Sequence, residues 1–270
     1  MNFKLAAFAD EADSRISEQI KAMMENDIPY LEIRGVDGEN ISDITKEKAI
    51  EIRKQLDNSG LAVWSLGSPY GKIGINDDFA PHLEKFNCSL ETANILGAKN
   101  IRIFSFYTPN GQEKEYKDKV MARIEQFMLA AEKSGITLCH ENEKGLYGDT
   151  AKRCLEIHHN FPKLKAVFDP ANFVQCGQDT IEAWKMLESY VEYMHIKDAM
   201  PDGSVVPAGK GSGNIPYLLH NYKGKVLTLE PHLSVFDGFD KLEANPKIRY
   251  CYPTSRAAFD AAVNALKMII

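Results

Sequence analysis

Short apolar runs alternate along the chain with longer stretches in which apolar residues recur every three or four positions, and several of these stretches close on a glycine. The short runs have the length and side-chain types of buried parallel strands; the longer ones have the period of amphipathic helices with left-handed C-caps. Strands are predicted at Lys4–Ala9, Tyr30–Ile33, Leu61–Leu66, Ile101–Phe106, Thr137–His140, Lys165–Phe168, Tyr193–Ile196 and Lys225–Leu229. Between the first two, Asp13 or Ser14 can cap a helix with Ile16, Gln19, Ile20, Met23 and Met24 mostly on one face. The next helix begins near Thr45, places Ala49, Ile52 and Leu56 at helical spacing and stops at Gly60. Further helices are predicted from Pro81 to Leu96, Tyr116 to Lys133, Thr150 to His159, Thr180 to Glu188, Ile215 to Asn221 and Arg256 to Met268. Eight βα units without a linker predict an α/β fold, a single (β/α)8 TIM barrel over residues 1–270, in place of a doubly wound open sheet.

In such a barrel the C-terminal ends of all strands share one face, where the chemistry is placed. Four consecutive predicted strands end on a side chain able to bind a metal: Glu141 after Leu138-Cys139-His140, Asp169 after Val167-Phe168, His195 after Tyr193-Met194, and Glu230 after Thr228-Leu229. Their separations of 28, 26 and 35 residues are each about one βα unit, which makes them neighbours in space. Three carboxylates and one imidazole form a hard, oxygen-rich set for one divalent ion, Mn2+ foremost, with Mg2+, Co2+ or Zn2+ as alternatives. A lone carboxylate at a strand end is more often a helix cap or a salt-bridge partner, so the joint spacing carries the assignment.

Alternation supplies further candidates. Lys197, two residues past His195, projects to the same side; it either faces a substrate or pairs with a ligand carboxylate. Glu32 and Arg34 point into the barrel, and Arg34 either binds a substrate hydroxyl or phosphate or pairs with Glu32 or another glutamate. Arg102 lies deeper and reads as structural. Asn172, three residues after Asp169, sits where a loop returns over the pocket and is a candidate substrate contact. Asp10 and Glu11 read as a pocket wall or as caps. The loop at residues 68–74 reads as a lid or a connection, and the Gly- and Pro-rich segment 198–216 as a mobile loop. Within that segment, Gly209-Lys210-Gly211-Ser212-Gly213 has the composition of a weak phosphate cradle. His158 and His159 fall at a helix end and suit its carbonyls and dipole.

Composition narrows the partners. With 32 Lys+Arg against 38 Asp+Glu, the net charge of −6 repels a nucleic acid backbone. Five scattered cysteines without a C-x-x-C pair suggest neither a disulfide framework nor a thiolate zinc site and fit a reducing, cytoplasmic setting. The apolar run Leu5 to Ala9 is too short for a signal-peptide core, and no stretch approaches the ~20 apolar residues of a membrane span. Neither export nor membrane insertion is expected.

Across nearly its whole length the chain resembles the xylose isomerase-like TIM-barrel superfamily of sugar phosphate isomerases and epimerases. The resemblance rests on Phe8-Ala9-Asp10-Glu11, Leu31-Glu32-Ile33-Arg34-Gly35, His140-Glu141-Asn142-Glu143, Phe168-Asp169-Pro170, Met194-His195-Ile196-Lys197-Asp198 and Leu229-Glu230-Pro231. It implies that Glu141, Asp169, His195 and Glu230 bind one divalent metal and that Glu141 and Glu230 also move the proton. The chain departs from the ketose 3-epimerases of that group, which carry a histidine where Asn172 stands and a further glutamate and arginine without clear counterparts near Tyr147 or after His195. Endonuclease IV shares the fold but uses three zinc ions and more histidines. Asn172 replaces one of these, and the Asp-x-His pair after strand seven is missing, which argues against DNA repair. The expected function is isomerisation or epimerisation of a small sugar or sugar phosphate through an enediolate. A dehydratase or lyase acting on an inosose or keto-sugar derivative is the alternative, and a non-catalytic sugar-binding barrel the third reading. Family members are often oligomers, so a homo-oligomer is an open expectation.

Overall fold

The structure, a computed structural model, describes residues 3–234 and 250–270; residues 1–2 and 235–249 of the predicted domain lie outside the described residues. Eight parallel strands close into a barrel: β1 (Lys4–Ala7), β2 (Tyr30–Ile33), β3 (Ala62–Leu66), β4 (Asn100–Ile103), β5 (Thr137–Glu141), β6 (Lys165–Phe168), β7 (Val191–Ile196) and β8 (Val226–Leu229). Each pairs with its sequence neighbour, and β8 returns to β1. The predicted (β/α)8 barrel is the observed fold. Two predicted strands end early. The first ends at Ala7 because Ala9–Glu11 turn into a 3-10 helix, and the fourth ends at Ile103, ahead of Phe106 with its positive φ of 70°.

The helices are α1 (Ile16–Glu25), α2 (Lys46–Asn58), α3 (Ala80–Leu96), α4 (Glu113–Ala131), α5 (Ala151–Asn160), α6 (Pro170–Gln175), α7 (Thr180–Leu187), α8 (Ile215–Asn221) and α9 (Ser255–Lys267). Side-chain caps fix several starts: the hydroxyls of Thr45, Thr150 and Thr254 accept from Lys48, Arg153 and Ala257 N–H. On α1 the buried face is Ile16, Gln19, Ile20, Ala22 and Met23; Met24 points outward. Gly97 ends α3 with φ 72°, and a Cβ there would lie 2.0 Å from the Arg53 guanidinium. The short helix α6 escaped the sequence pattern because one and a half turns are too few to show a period. Asp169 caps it, accepting from the Asn172 N–H.

Two cores result. The larger packs the helices on the outer barrel wall, with Phe86, Phe127, Tyr70 and Phe106 in one aromatic group. The smaller, Ala6, Cys139, Val167, Tyr193 and Val226, fills the barrel interior and forms a dry floor below the strand ends. Among the described residues, no helix is long and apolar enough to cross a membrane. The segment at 68–74 is a packed connection: Tyr70 is buried, its hydroxyl donating to the Lys85 carbonyl at 2.8 Å and lying 2.5 Å from Ser89 Oγ.

The loop after β7 is organised by one side chain. Asp198 is fully buried, and its two oxygens accept from the N–H groups of Ala199, Gly209, Gly211 and Gly213, each at 2.9 Å. A Cβ at Gly211 would come within 2.4 Å of the Asp198 carboxylate, so the backbone reaches it only as glycine. The glycine-rich segment does cradle an anion, but the anion is the protein's own. This corrects the phosphate-cradle expectation, because three of the loop's donors are already occupied, and the expected mobile loop is tied to the barrel at this point. Asp198→Ala should leave four N–H groups without their acceptor, those of Ala199 and Gly213 buried, and lower unfolding stability by roughly 3 kcal/mol; a urea midpoint within error of the parent's would refute that role.

Candidate metal centre

Above the floor of Tyr193 the barrel becomes ionic. Asp10, Glu11, Glu32, Glu141, Asp169 and Glu230 are all buried there, together with Arg34, Arg102 and Lys197. The four predicted ligands do converge: one ligand atom from each of Glu141, Asp169, His195 and Glu230 lies within 4.8 Å of all the others. Ligand atoms at ~2.0–2.2 Å from one ion are separated by about 3–4.3 Å, so the group is close to coordination spacing. From His195 Nδ1 the distances are 3.0 Å to Glu141 Oε1, 3.3 Å to Glu230 Oε2 and 3.9 Å to Asp169 Oδ2. Glu141 Oε2 and Asp169 Oδ2 are buried and make no hydrogen bond of good geometry, although the Arg102 guanidinium lies 3.1 Å from the first and the Lys197 ammonium 2.9 Å from the second. Buried acceptors aimed at a common point with too few donors are what a cation satisfies. The residues therefore fit a divalent ion with a hard, mixed oxygen and nitrogen set.

The backbone explains the convergence. β5, β6, β7 and β8 are consecutive neighbours in the barrel wall, and the register pairs Thr228 with His195 and Glu141 with Val167. Asn142 braces the centre, its amide donating to the Asp169 carbonyl and its side-chain oxygen accepting the Asp169 N–H, both at 2.9 Å.

Lys197 also lies in the centre, its ammonium 2.9 Å from Asp169 Oδ2 and 3.0 Å from Glu230 Oε2, which is the carboxylate-pairing alternative. Arg34 pairs with Asp10 at 2.8 Å, Glu230 at 3.2 Å and Glu11 at 3.3 Å, so its glutamate partners are Glu230 and Glu11 and not Glu32. Asn172 donates to the Asn142 carbonyl at 2.9 Å and to Glu141 Oε1 at 3.3 Å, leaving its buried Oδ1 without a partner. Arg102 is closer to the centre than sequence reading placed it, 3.1 Å from Glu141 Oε2 and over the rings of Phe8 and Phe104. His232, which no strand pattern marked, lies 3.5 Å from Glu230 and 3.6 Å from Glu11. Glu11, Glu230 and His232 form a second ligand-like group, but the Arg34 guanidinium already supplies its positive charge. At the mouth, Lys72 pairs with Glu143 at 2.7 Å. His158 lies apart from the centre, its Nδ1 3.1 Å from the Leu164 carbonyl.

Titration reflects this crowding. Burial, with Glu230 and Glu141 adding repulsion, pushes Asp169 up to about 7 against the pull of Lys197. Burial, with Glu230 and Asp10, pushes Glu11 up to about 8. Burial also works against charge on Glu230, but Lys197, His232 and His195 outweigh it and hold Glu230 well below the usual carboxylate range. For His195 and Lys197 burial opposes charge, yet the surrounding carboxylates win and raise both.

A profile of the xylose isomerase-like TIM barrel family matches residues 20–232. The chain belongs to this family. No curated protein sequence matches it. Among solved structures, the probable 3-DHS dehydratase AsbF from Bacillus anthracis aligns with TM-score 0.75 at 16% identity, over 99% of both chains. The IOLI protein with a bound zinc atom also gives 0.75 at 16% identity, over 98% of this chain and 97% of that one. A D-tagatose 3-epimerase-like protein gives 0.74 at 16% identity, over 98% of each. At such identity these xylose isomerase-like neighbours establish the fold.

The raised groups set a pH dependence for the metal-free protein. A carboxyl group with a raised folded pKa binds its proton in the folded state after the unfolded chain has released it, so stability falls as pH rises towards that pKa. His195, raised as well, acts in the same direction, while the depressed histidines His82, His140 and His158 act only below their ordinary value near 6.5. In EDTA the urea midpoint should therefore decline between about pH 6.5 and about pH 8.5; a midpoint that is flat or rising there contradicts the charge balance described.

Proposed function

We propose that this protein is a divalent-metal-dependent enzyme that moves a proton at a carbon beside the carbonyl of a small sugar or sugar phosphate, as an isomerase or epimerase. The observation that carries this is the approach of two glutamates, Glu141 from β5 and Glu230 from β8, to the same His195 nitrogen, at 3.0 and 3.3 Å. A divalent ion held by Glu141, Asp169, His195 and Glu230, Mn2+ foremost, would act as a Lewis acid on the substrate oxygens and stabilise the charge that develops when the proton leaves. Glu141 and Glu230 stand on separate strands and serve as base and acid on the two faces of the substrate. Arg102 lies 3.1 Å from Glu141, and Arg34 lies 3.2 Å from Glu230. Lys197 offers an ammonium to a substrate oxygen, and Asn172 Oδ1 an acceptor for a hydroxyl. Arg34, with three carboxylates around it, supports Glu230 from behind.

Support for the reaction class comes from the epimerase-like neighbour, and the zinc-bound neighbour is in keeping with a metal. A second reading, dehydration, draws on the dehydratase neighbour. It starts with the same proton removal and ends with loss of a β-hydroxyl. Ketoses, inososes and keto-glycosides incubated in D2O with Mn2+ separate the two: unchanged mass apart from deuterium at the exchanged carbon means isomerisation or epimerisation, and loss of water means dehydration.

On the substrate so identified, Glu141→Ala and Glu230→Ala should each lower kcat by at least roughly a thousandfold while leaving the circular dichroism of the barrel intact. Near-parental turnover in both variants would rule out the two-glutamate assignment.

A further inference from the structure

We infer that Glu32 is a positioning residue of this centre: it holds the Nε2–H of His195 and so commits Nδ1 to the cation. The inference builds on the proposed metal reading and adds a residue outside the ligand set. Glu32 is the penultimate residue of β2, faces the Nε2 side of His195 and is completely buried. Its Oε2 lies 3.1 Å from His195 Nε2, and its Oε1 accepts from the Tyr193 hydroxyl at 2.7 Å. Ser65 Oγ, on β3, lies 3.1 Å from the same hydroxyl. Tyr193 and His195 are two residues apart on β7, so both side chains enter the barrel and reach one carboxylate. The pairing of β2 with β3 shifts register between Leu31 and Glu32, a local irregularity of the kind that re-aims a side chain.

A neutral imidazole carries one proton, which resides on Nε2 facing Glu32 or on Nδ1 facing Glu141. With the proton on Nδ1, the nitrogen donates to Glu141 Oε1 and its lone pair is unavailable to a metal. Glu141 faces Nδ1 as Glu32 faces Nε2; once a cation takes Nδ1, Glu32, whose carboxylate accepts and cannot donate, holds the remaining proton on Nε2. Edge-on contacts from Phe8 at 5.3 Å and tilted packing of Tyr193 at 5.6 Å restrain the ring plane, leaving the hydrogen bond to choose the tautomer. Outer carboxylates acting in this way typically strengthen metal binding by about 10- to 100-fold. The bland alternative is that Glu32 only balances buried charge near Arg102. That role predicts lost stability without a change of tautomer.

Glu32→Gln keeps the shape but can turn an NH2 towards His195 Nε2, which favours the Nδ1–H form. The full-length protein, freed of metal, is titrated with Zn2+ and with Mn2+, and 15N-histidine NMR reads His195 in the zinc-loaded state. Expected are an Nε2-protonated His195 in the parent and, in E32Q, metal binding weaker by about 10- to 100-fold. Tyr193→Phe, which removes one of the two bonds orienting Glu32, should weaken binding by less. Parental affinity in E32Q, or an Nδ1-protonated His195 in the zinc-loaded parent, overturns the inference alone. A parent that binds neither ion overturns the metal centre and this inference together. Should E32Q not fold, the parent's NMR spectrum still decides which nitrogen holds the proton.

Discussion

Burying a carboxylate costs several kcal/mol unless a cation or several donors meet it, and six carboxylates lie together above the aromatic floor of this barrel. Three permanent cations, Arg34, Arg102 and Lys197, stand among them. The remaining imbalance is visible in Asp169 and Glu11, which keep their protons to unusually high pH, and in His195, which clings to an extra one. A divalent ion at the four-residue centre would remove most of that excess. The closed parallel barrel assembles this centre at so small a separation by delivering side chains from neighbouring strand ends to one face, while Tyr193, Cys139 and Val167 pack the interior below.

Within this charge cluster Glu230 is the hub. Arg34, Lys197, His195 and His232 all approach it, whereas Glu141 is met by Arg102, His195 and the Asn172 amide. The two carboxylates proposed to exchange protons with substrate are therefore backed by cations on different strands. Neither depends on solvent to carry its charge. Glu11 extends the support outward, accepting the His232 N–H at 2.7 Å and so fixing the turn that follows Glu230, where His232 adopts a positive φ of 47°.

The convergence of the four candidate ligands was legible in the sequence because each falls within one residue of a strand end and the strands recur at the spacing of a βα unit. Strand period alone also pointed Glu32, Arg34 and Lys197 inward. Partner choice was only partly legible: another glutamate was among the partners expected for Arg34, which pairs with Glu11 and Glu230 and also with Asp10, whereas Glu32 reached Tyr193 and His195 because barrel closure brings β2 close to a strand more than 150 residues away in the chain. Arg102 was placed too deep since alternation gives the side of a strand but not the reach of a long guanidinium. His232 and α6 carried no periodic signal at all. The role of Asp198 had a signal that was read in reverse, for glycines at alternate positions do mark an anion cradle, and an aspartate at the head of the same loop was the anion.

Strand β7 and the two residues after it gather these themes. Tyr193, His195 and Lys197 alternate into the barrel and supply in turn its floor, its nitrogen ligand and a cation beside the ligands, while Asp198 locks the backbone immediately beyond. That lock bears on Lys197, because an ammonium placed by a loose loop would drift to the nearest exposed carboxylate, whereas here it is kept 2.9 and 3.0 Å from two ligand carboxylates. The sequence offered substrate contact and carboxylate pairing as rival roles for this lysine. Geometry makes them compatible, since any oxygen drawn to the four-ligand centre must enter the space Lys197 already borders, and a charge that steadies Asp169 and Glu230 before binding is then in reach of the ligand that arrives.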